Sequence, residues 1–527
     1  MQKTDDFTRA CQEIMENLLT IDNPTTSVIK NEIKNVCTKY SLERFPRNNE
    51  ILSMANPLEF KKLQNILLTK PVKSASGVTV IAVMPKPYAC PHGRCSYCPG
   101  GIEFNTPNSY TGKEPVTINA IKNEYNPNIQ ITSKLNQLQL FGHDTSKIEL
   151  VIVGGTFLFM PKDYQNDFIK SCYDALNGFK SKDLQTAMKN NETTKNRNVG
   201  FTIETKPDYC KKEHVDLMLS YGVTRVEIGV QSLHERVYKI VNRGHDYNDV
   251  IESFQISKDS GYKIVAHMMP GLPTITPKED IDDFKKLFND SNFKPDMLKI
   301  YPSLVLENTA LYNDFIAKKY TPYSDEEMLN VLTETKKIVP KWVRIMRVQR
   351  EITPNEIQAG PKSGNLRQMI HKRLKEQGYS CKCIRCREAG LSRKNMPSEV
   401  LKLNREEYNS SSGKEIFLSF DDKDETIYGF LRLRKPSNMA HRNEITENSC
   451  IIRELHVFGK SVKIGKHEEN SIQHSGLGRK LMSEAEKISK EYFDARKILV
   501  ISAIGTREYY KKLDYKLDGP YMSKQLR

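Results

Sequence analysis

Two groups of three cysteines are the residues of this chain best suited to chemistry. Cys90, Cys95 and Cys98 fall at C-x4-C-x2-C spacing inside CPHGRCSYCPGG. Cys381, Cys383 and Cys386 fall at C-x-C-x2-C spacing, downstream of His371. The first group is one thiolate short of a closed tetrahedral site. Either His92 completes a zinc site, or the three thiolates hold three corners of a [4Fe–4S] cluster and leave one iron open. An open iron can chelate the amino and carboxylate groups of S-adenosylmethionine and pass an electron to its sulfonium, releasing a 5′-deoxyadenosyl radical. The second group, with His371, offers three thiolates and one imidazole, a full donor set for a structural Zn2+. The other five cysteines (Cys11, Cys37, Cys172, Cys210 and Cys450) are scattered and read as small buried hydrophobes.

Both groups need a scaffold, and the sequence around them alternates. SGVTVIAVMPKP leads into the first group as a strand. Six further strand-like runs follow (IELVIVGG, VGFTIET, VTRVEIGVQS, YKIVAHMMPGLP, MLKIYPSLV and WVRIMRV), separated by helical segments. Repeated β-then-α units predict a parallel sheet with right-handed crossovers, curved into a barrel-like form with its site at the strand C-terminal ends. The insert GFKSKDLQTAMKNNETTKNRN reads as a long exposed loop or frayed helix. Residues 1–75 read as helical, the first helix burying Phe7, Ala10, Cys11, Ile14, Met15 and Leu18 on one face. From residue 395 the pattern changes to an α+β domain: a helix over PSEVLKLNREEY, strands IFLSFDD, TIYGFLRLRK and CIIRELHVFG, a helix opening at QHSGLG, a strand KILVISAI and a last helix around TREYYKKL. The domains expected are therefore 1–75, 76–350, 351–394 and 395–527.

The chain has 527 residues, 38% hydrophobic and 28% charged, which excludes a disordered chain. No run of about 18 apolar residues is present, so no membrane span is expected. Reduced, clustered cysteines and the absence of an apolar leader predict a cytoplasmic protein. Net charge is +15, and residues 341–394 hold 14 Lys/Arg against 4 Glu, a net +10. Such a stripe suits a phosphate-bearing partner or is a solvated basic face.

GGTF (with Gly154 and Gly155), ETKP (with Glu204), EIGVQS (with Gln231) and AHMMPGLP close successive strands above the first cysteine group. In that order they resemble the radical-SAM superfamily, particularly members related to oxygen-independent coproporphyrinogen oxidase. The usual spacing there is C-x3-C-x2-C, so this chain carries one extra residue. Glycines at GGTF would let backbone carbonyls approach the methionine ammonium, and Glu204 would bind a ribose hydroxyl. IIRELHV followed by Gln473, Gly476 and Gly478 of QHSGLG resembles the GNAT acetyltransferase pattern, in which amides at a helix N-terminus cradle the acetyl-CoA pyrophosphate. Tyr509 and Tyr510 fall on the following helix, where such enzymes place a tyrosine near the thioester; packing is the alternative for both.

The combination resembles the catalytic-subunit family of Elongator, the tRNA wobble-uridine acetyltransferases. KSASGVTVIAVMPKP, SYTGKEP, FTIETKPDYC, RVEIGVQS, NRGHDY, VAHMMPGLP, LKIYPSLV, RVQREI and LDGPYMSK carry the resemblance over nearly the whole chain. The short first spacing and the intact second group match prokaryotic-type members. The resemblance implies an α/β fold: a partial TIM-like radical-SAM barrel, then an α+β GNAT domain, with a zinc-pinned basic linker and a helical N-terminal segment that binds tRNA. It implies acetyl-CoA contacts at Lys147, Glu454, Leu455, His456, Val457, Leu477, Gly478, Arg479, Lys480 and Tyr510, with Tyr510, Tyr509 and Lys147 catalytic. It implies tRNA contacts on the basic segment, at Arg344, Arg347, Arg350, Lys372, Arg373, Arg385 and Arg387. The implied reaction places a carboxymethyl group on C5 of the wobble uridine, with Elongator-like subunits or a second copy as partners. The alternative is a protein lysine acetyltransferase whose iron–sulfur domain is structural.

Overall fold

The computed structural model describes residues 2–22, 24–63, 66–67, 76–155, 157–392, 400–459 and 476–526. Seven parallel strands form the central sheet in chain order. They are β1 (Thr79–Val83), β2 (Lys147–Ile152), β3 (Arg197–Thr205), β4 (Arg225–Gln231), β5 (Lys263–Met268), β6 (Met297–Ile300) and β8 (Arg344–Arg347). A short ribbon of β7 (Val305–Leu306) and β9 (Ile357–Ala359) lies apart. β1 and β8 are the two edges, so the sheet curves as an open half-barrel. The inner strands β4, β5 and β6 are buried on both faces, which is why they read as near-continuous apolar runs, whereas the edges β1 and β8 keep exposed positions. All six strands expected after the first cysteine group are present.

The second sheet has the order β10-β11-β12-β13-β14-β16-β15. Its strands are β10 (Lys402–Ser410), β11 (Gly413–Asp421), β12 (Ile427–Lys435), β13 (Ser449–Val457), β14 (Lys497–Val500), β15 (Lys516–Asp518) and β16 (Tyr521–Gln525). Every pair is antiparallel except β13 with β14. A helix over Leu477–Glu491 packs Leu481, Met482, Ala485 and Ile488 onto this sheet. The N-terminal helices keep a core of their own, with Ala10, Cys11, Ile14, Met15 and Leu18 buried and Phe7 partly buried, as the amphipathic pattern requires. Among the described residues, no helix is long and apolar enough to cross a membrane.

One expectation is corrected. The helix expected over residues 397–408 is strand β10 for its described part. The run has no apolar stripe at helical spacing, and pairing with β11 from Lys402↔Asp421 to Ser410↔Gly413 satisfies its backbone instead. Of the exposed loop or frayed helix expected at 178–198, the helix is present over Leu184–Asn191, capped by Asp183 accepting from Thr186 N at 2.7 Å and packed through buried Ala187, Met188 and Asn191. Within the segment 351–394, Leu366, Ile370, Leu374 and Cys383 join the barrel core.

The two sheets meet across a seam of buried charge. Arg432, Arg434 and Arg453 are fully buried. Arg453 donates to Asp296 (Nη1–Oδ2 2.9 Å), Arg434 to Asp259 (Nε–Oδ1 2.9 Å) and Glu415 (2.8 Å), and Arg432 to Glu454 (2.8 Å). Asp259 and Asp296 belong to the barrel, whereas the arginines rise from β12 and β13. Each charge is matched and hydrogen-bonded, the condition under which buried ions are tolerated.

Candidate active sites of the two domains

The first cysteine group sits on the loop after β1, above the C-terminal ends of the strands. Cys95 and Cys98 are buried and Cys90 is half-buried. The Ser109 amide donates to Cys98 Sγ at 3.1 Å, and Arg243 Nη1 lies 3.9 Å from Cys95 Sγ. Arg243 is held by the carbonyl of Gly229 at 2.8 Å, and a Cβ on that glycine would lie 2.3 Å from the guanidinium. His92 lies with Nε2 at 3.4 Å from Cys95 Sγ and Nδ1 at 2.9 Å from Lys206 Nζ. Burial, helped by Lys206 and Arg243, pushes His92 down to about 4, so it stays neutral at ordinary pH. Among the described residues, only the second cysteine group brings its ligand atoms within 4.8 Å of one another. Thiolates on one zinc would be roughly 4 Å apart given Zn–S bonds of about 2.3 Å. Wider spacing fits thiolates that bind separate irons, and the surrounding cations and amide donors fit an anionic cluster.

Below the loop, polar side chains line the barrel interior. Glu204 near the end of β3 accepts from the Gly154 amide at 3.2 Å and from Tyr110 Oη at 3.4 Å. His267 Nδ1 lies 3.5 Å from Glu204, and its Nε2 lies 2.8 Å from Glu227. Lys299 closes the row on Glu227. Burial alone would raise Glu227, but Lys299, His267 and Arg225 outweigh it and hold the carboxylate well below its usual range. Gly154 (φ 125°) and Gly155 (φ 72°) take backbone conformations that L side chains rarely adopt. Gln231 also has positive φ (73°), and its Oε1 is buried without a partner, as are Glu227 Oε1, Arg243 Nε and both ring nitrogens of His245. Unpaired buried polar atoms of this kind fit a polar ligand such as S-adenosylmethionine. The sequence reading named Glu204 and Gln231 here but missed Arg243, Lys206, His267 and Lys299. Their signals were present in the ETKP, NRGHDY, AHMMPGLP and LKIYP motifs without individual roles.

The second cysteine group converges tightly. His371 Nε2 lies 3.6 Å from Cys386 Sγ but also 2.6 Å from Lys336 Nζ, on a fully buried lysine. Three thiols thus meet the donor chemistry of zinc, while the ammonium of Lys336 occupies the imidazole nitrogen nearest them.

The second candidate site lies in the C-terminal sheet. β13 and β14 pair only from Ser449↔Lys497 to Ile452↔Val500, then part. A register shift on β12 at Arg432/Leu433 leaves Arg453 as the extra residue of β13, and Glu454 to Val457 continue beside β12 alone. The opening is a cavity of about 110 Å³ lined by Glu454, Leu455, His456, Val500–Ala503 and Tyr510. Its far wall is the N-terminal end of the barrel strands, with Glu149, Arg225 and Lys263. Glu454 is bound to Arg432, and His456 donates to Ser76 O at 3.0 Å. Lys147 opens β2 two residues before Glu149, and burial pushes it down to about 8. Gly476 (φ 85°) starts the helix carrying Leu477 to Lys480, and a Cβ on Gly478 would lie 3.0 Å from Tyr509 Oη. Tyr510 is buried and Tyr509 is half-exposed. Gln473 lies outside the described residues.

Of the basic residues expected to face tRNA, two are corrected. Arg387 is buried and spends its guanidinium on Asp421 and the carbonyls of Lys341, Lys382 and Glu425. Arg344 is paired to Glu388, which is buried. Both brace the join to the second sheet. Arg350 donates to Ser109 O and lies over Tyr301 at the barrel mouth. Arg347 pairs with Glu351, Arg373 with Glu326, Lys372 is exposed, and Arg385 is half-buried.

Comparison with known proteins matches this arrangement. The Radical SAM superfamily matches residues 84–288, the Radical_SAM C-terminal domain residues 295–376, and the ELP3 N-terminal domain residues 7–75. The tRNA uridine(34) acetyltransferase of Methanocaldococcus infernus is 46% identical over 91% of this chain and 92% of its own length. Elongator complex protein 3 of Homo sapiens is 41% identical over 98% of this chain and 96% of its own. A solved structure of the archaeal Methanocaldococcus infernus Elp3 with an N-terminal deletion superposes with a TM-score of 0.76 at 43% identity, covering 86% of this chain and all of that one. Along nearly its full length, therefore, the chain belongs to the family of tRNA uridine(34) acetyltransferases and Elongator complex protein 3, and it carries that family's radical SAM domain.

Proposed function

We propose that the chain modifies the wobble uridine of tRNA, joining the methyl carbon of acetyl-CoA to uridine C5 and leaving 5-carboxymethyluridine. The observation that carries this reading is the pairing in one chain of a cysteine loop above the barrel with an opening between β13 and β14 below it. Uridine C5 is carbon, so ordinary acetyl transfer to a nucleophile does not reach it. When bound, the cluster and S-adenosylmethionine supply a 5′-deoxyadenosyl radical competent to take hydrogen from a methyl group. The balance is uridine, acetyl-CoA, S-adenosylmethionine and water in; modified uridine, CoA, methionine and 5′-deoxyadenosine out, with S-adenosylmethionine taking both electrons.

The chain's own residues have these tasks. Cys90, Cys95 and Cys98 hold the cluster, and Arg243 and the Ser109 amide stabilise the thiolates. Glu204, Gln231 and the Gly154–Gly155 turn hold S-adenosylmethionine, with His267 fixing the Glu204 carboxylate. The second domain is a GNAT fold, in which Gly476 to Lys480 receive the CoA pyrophosphate and Glu454 to Val457 the pantetheine arm. Tyr510, with Tyr509 and Lys147, faces the thioester. Cys381, Cys383 and Cys386 hold Zn2+ with His371, once Lys336 is displaced from the imidazole. Arg347, Arg350, Lys372, Arg373 and Arg385 lie on the tRNA path, where an unstacked anticodon base can be received.

The test is anaerobic. Reconstituted protein is given reductant, S-adenosylmethionine, acetyl-CoA and bulk tRNA, and digested nucleosides are analysed by mass spectrometry. A 5-carboxymethyluridine peak that needs both small molecules and vanishes in Cys95→Ala is expected. Acetylation of a protein amine without S-adenosylmethionine, and no modified nucleoside, would overturn the reading.

A further inference from the structure

Lys263 is a barrel residue that lines the opening between β13 and β14, where its charge is answered at a distance by Glu454 and Glu149 but its donors are little used. It begins β5 beside Arg225 of β4, its cross-strand partner, so two cations stand side by side. Like charges so placed repel unless anions answer them. Two carboxylates line the same cavity, but both are taken: Glu149 by Arg225, and Glu454 by Arg432 at 2.8 Å. Lys263 is left with one hydrogen bond among the described residues, to the Arg453 carbonyl at 3.4 Å, although an ammonium has three donors. Arg225 Nε and Thr202 Oγ1, which line the same space, are buried without partners. A built cavity with unspent donors calls for an acceptor that arrives with a ligand.

We propose that the Lys263 ammonium donates to the carbonyl oxygen of an acyl thioester seated between β13 and β14, so that the barrel lends the acetyl site a catalytic residue across the seam. The inference rests on the acetyl-CoA reading of that opening. Once the methyl carbon has been joined to uridine C5, water attacks the thioester carbon, the carbon–sulfur bond breaks, the thiolate takes one proton and solvent the other, and CoA is released from the carboxymethyl group. Lys263 stabilises the oxyanion and is not consumed. Arg453 and Glu454 from β13, Glu149 from β2 and Arg225 from β4 are the charged groups facing it, with burial the largest influence. Burial lowers Lys263 to about 8, so the donor is charged at neutral pH and lost as pH rises through that value.

The experiment uses the full chain, reconstituted anaerobically and supplied with reductant, S-adenosylmethionine and bulk tRNA. Acetyl-CoA binding is measured by calorimetry, and CoA release from saturating acetyl-CoA is followed from pH 6.5 to 9.5 for wild type, Lys263→Met and Lys263→Arg. Lys263→Met is expected to bind acetyl-CoA within about threefold of wild type yet release CoA about 100-fold more slowly, the scale of one lost oxyanion donor. Lys263→Arg is expected to recover part of the rate and to abolish the wild-type fall above pH 8. Unchanged kcat in Lys263→Met, or a loss confined to binding, overturns the inference. If Lys263→Met does not fold, the pH profile of Lys263→Arg decides alone: a profile identical to wild type overturns it. A wild type that binds no acetyl-CoA sinks the acetyl-CoA reading instead.

Discussion

Cys95 and Arg243 meet 148 positions apart in the chain, and that separation sets what the sequence could disclose. The cysteines were legible because coordination chemistry fixes residue type and spacing locally. Arg243, Lys206 and Lys299 were not, because each acts only where the sheet delivers it. The same distance makes the site sensitive to single changes. Glu227 is buried against Lys299 and His267, so Glu227→Gln strands the lysine charge. We predict a loss of about 3 kcal/mol in stability, read as a lower urea midpoint with unchanged slope; a loss under 1 kcal/mol would contradict the pairing. Asp280 gives a pH signature. Burial raises it to about 7 against hydrogen bonds from Tyr323 and Gly271. Its native form holds a proton that the unfolded chain releases near pH 4. Stability therefore falls as pH rises from about 4 to 7. Asp280→Asn should flatten that slope in urea titrations at each pH.

At the scale of elements, buried strands and amphipathic helices were legible because their periodicity reports burial on one or both faces. β10 was not, since an edge strand with exposed charged residues shows neither period clearly and is defined by pairing with β11. The helix at Leu184–Asn191 was legible only as one of two alternatives, because its buried contacts include amides, with Asn191 Nδ2 bonded to Asn177 at 2.8 Å. The helix over Leu477–Glu491 matters most for ligand binding. Gly478 leaves room beside Tyr509, and a side chain there fills the proposed pyrophosphate cradle. Gly478→Val should weaken acetyl-CoA binding at least tenfold, about 1.4 kcal/mol by calorimetry, while iron and sulfide content stay unchanged. Equal affinity would place the nucleotide elsewhere.

At the scale of the whole molecule, the seam decides how the two candidate sites relate. Asp296 answers both Arg432 and Arg453, all three fully buried. Asp296→Ala leaves two buried arginines uncompensated and should cost about 3–5 kcal/mol. The loss should appear as a lower melting temperature, and a melt unchanged in position would show that the seam contributes little. The most direct test of the central claim, that one acetyl group is worked on by both halves, is an isotope transfer. With acetyl-CoA trideuterated on its methyl group, anaerobic turnover on tRNA should place deuterium in the 5′-deoxyadenosine released and leave two deuterons in the modified uridine before exchange. Modified uridine formed alongside unlabelled 5′-deoxyadenosine would contradict it.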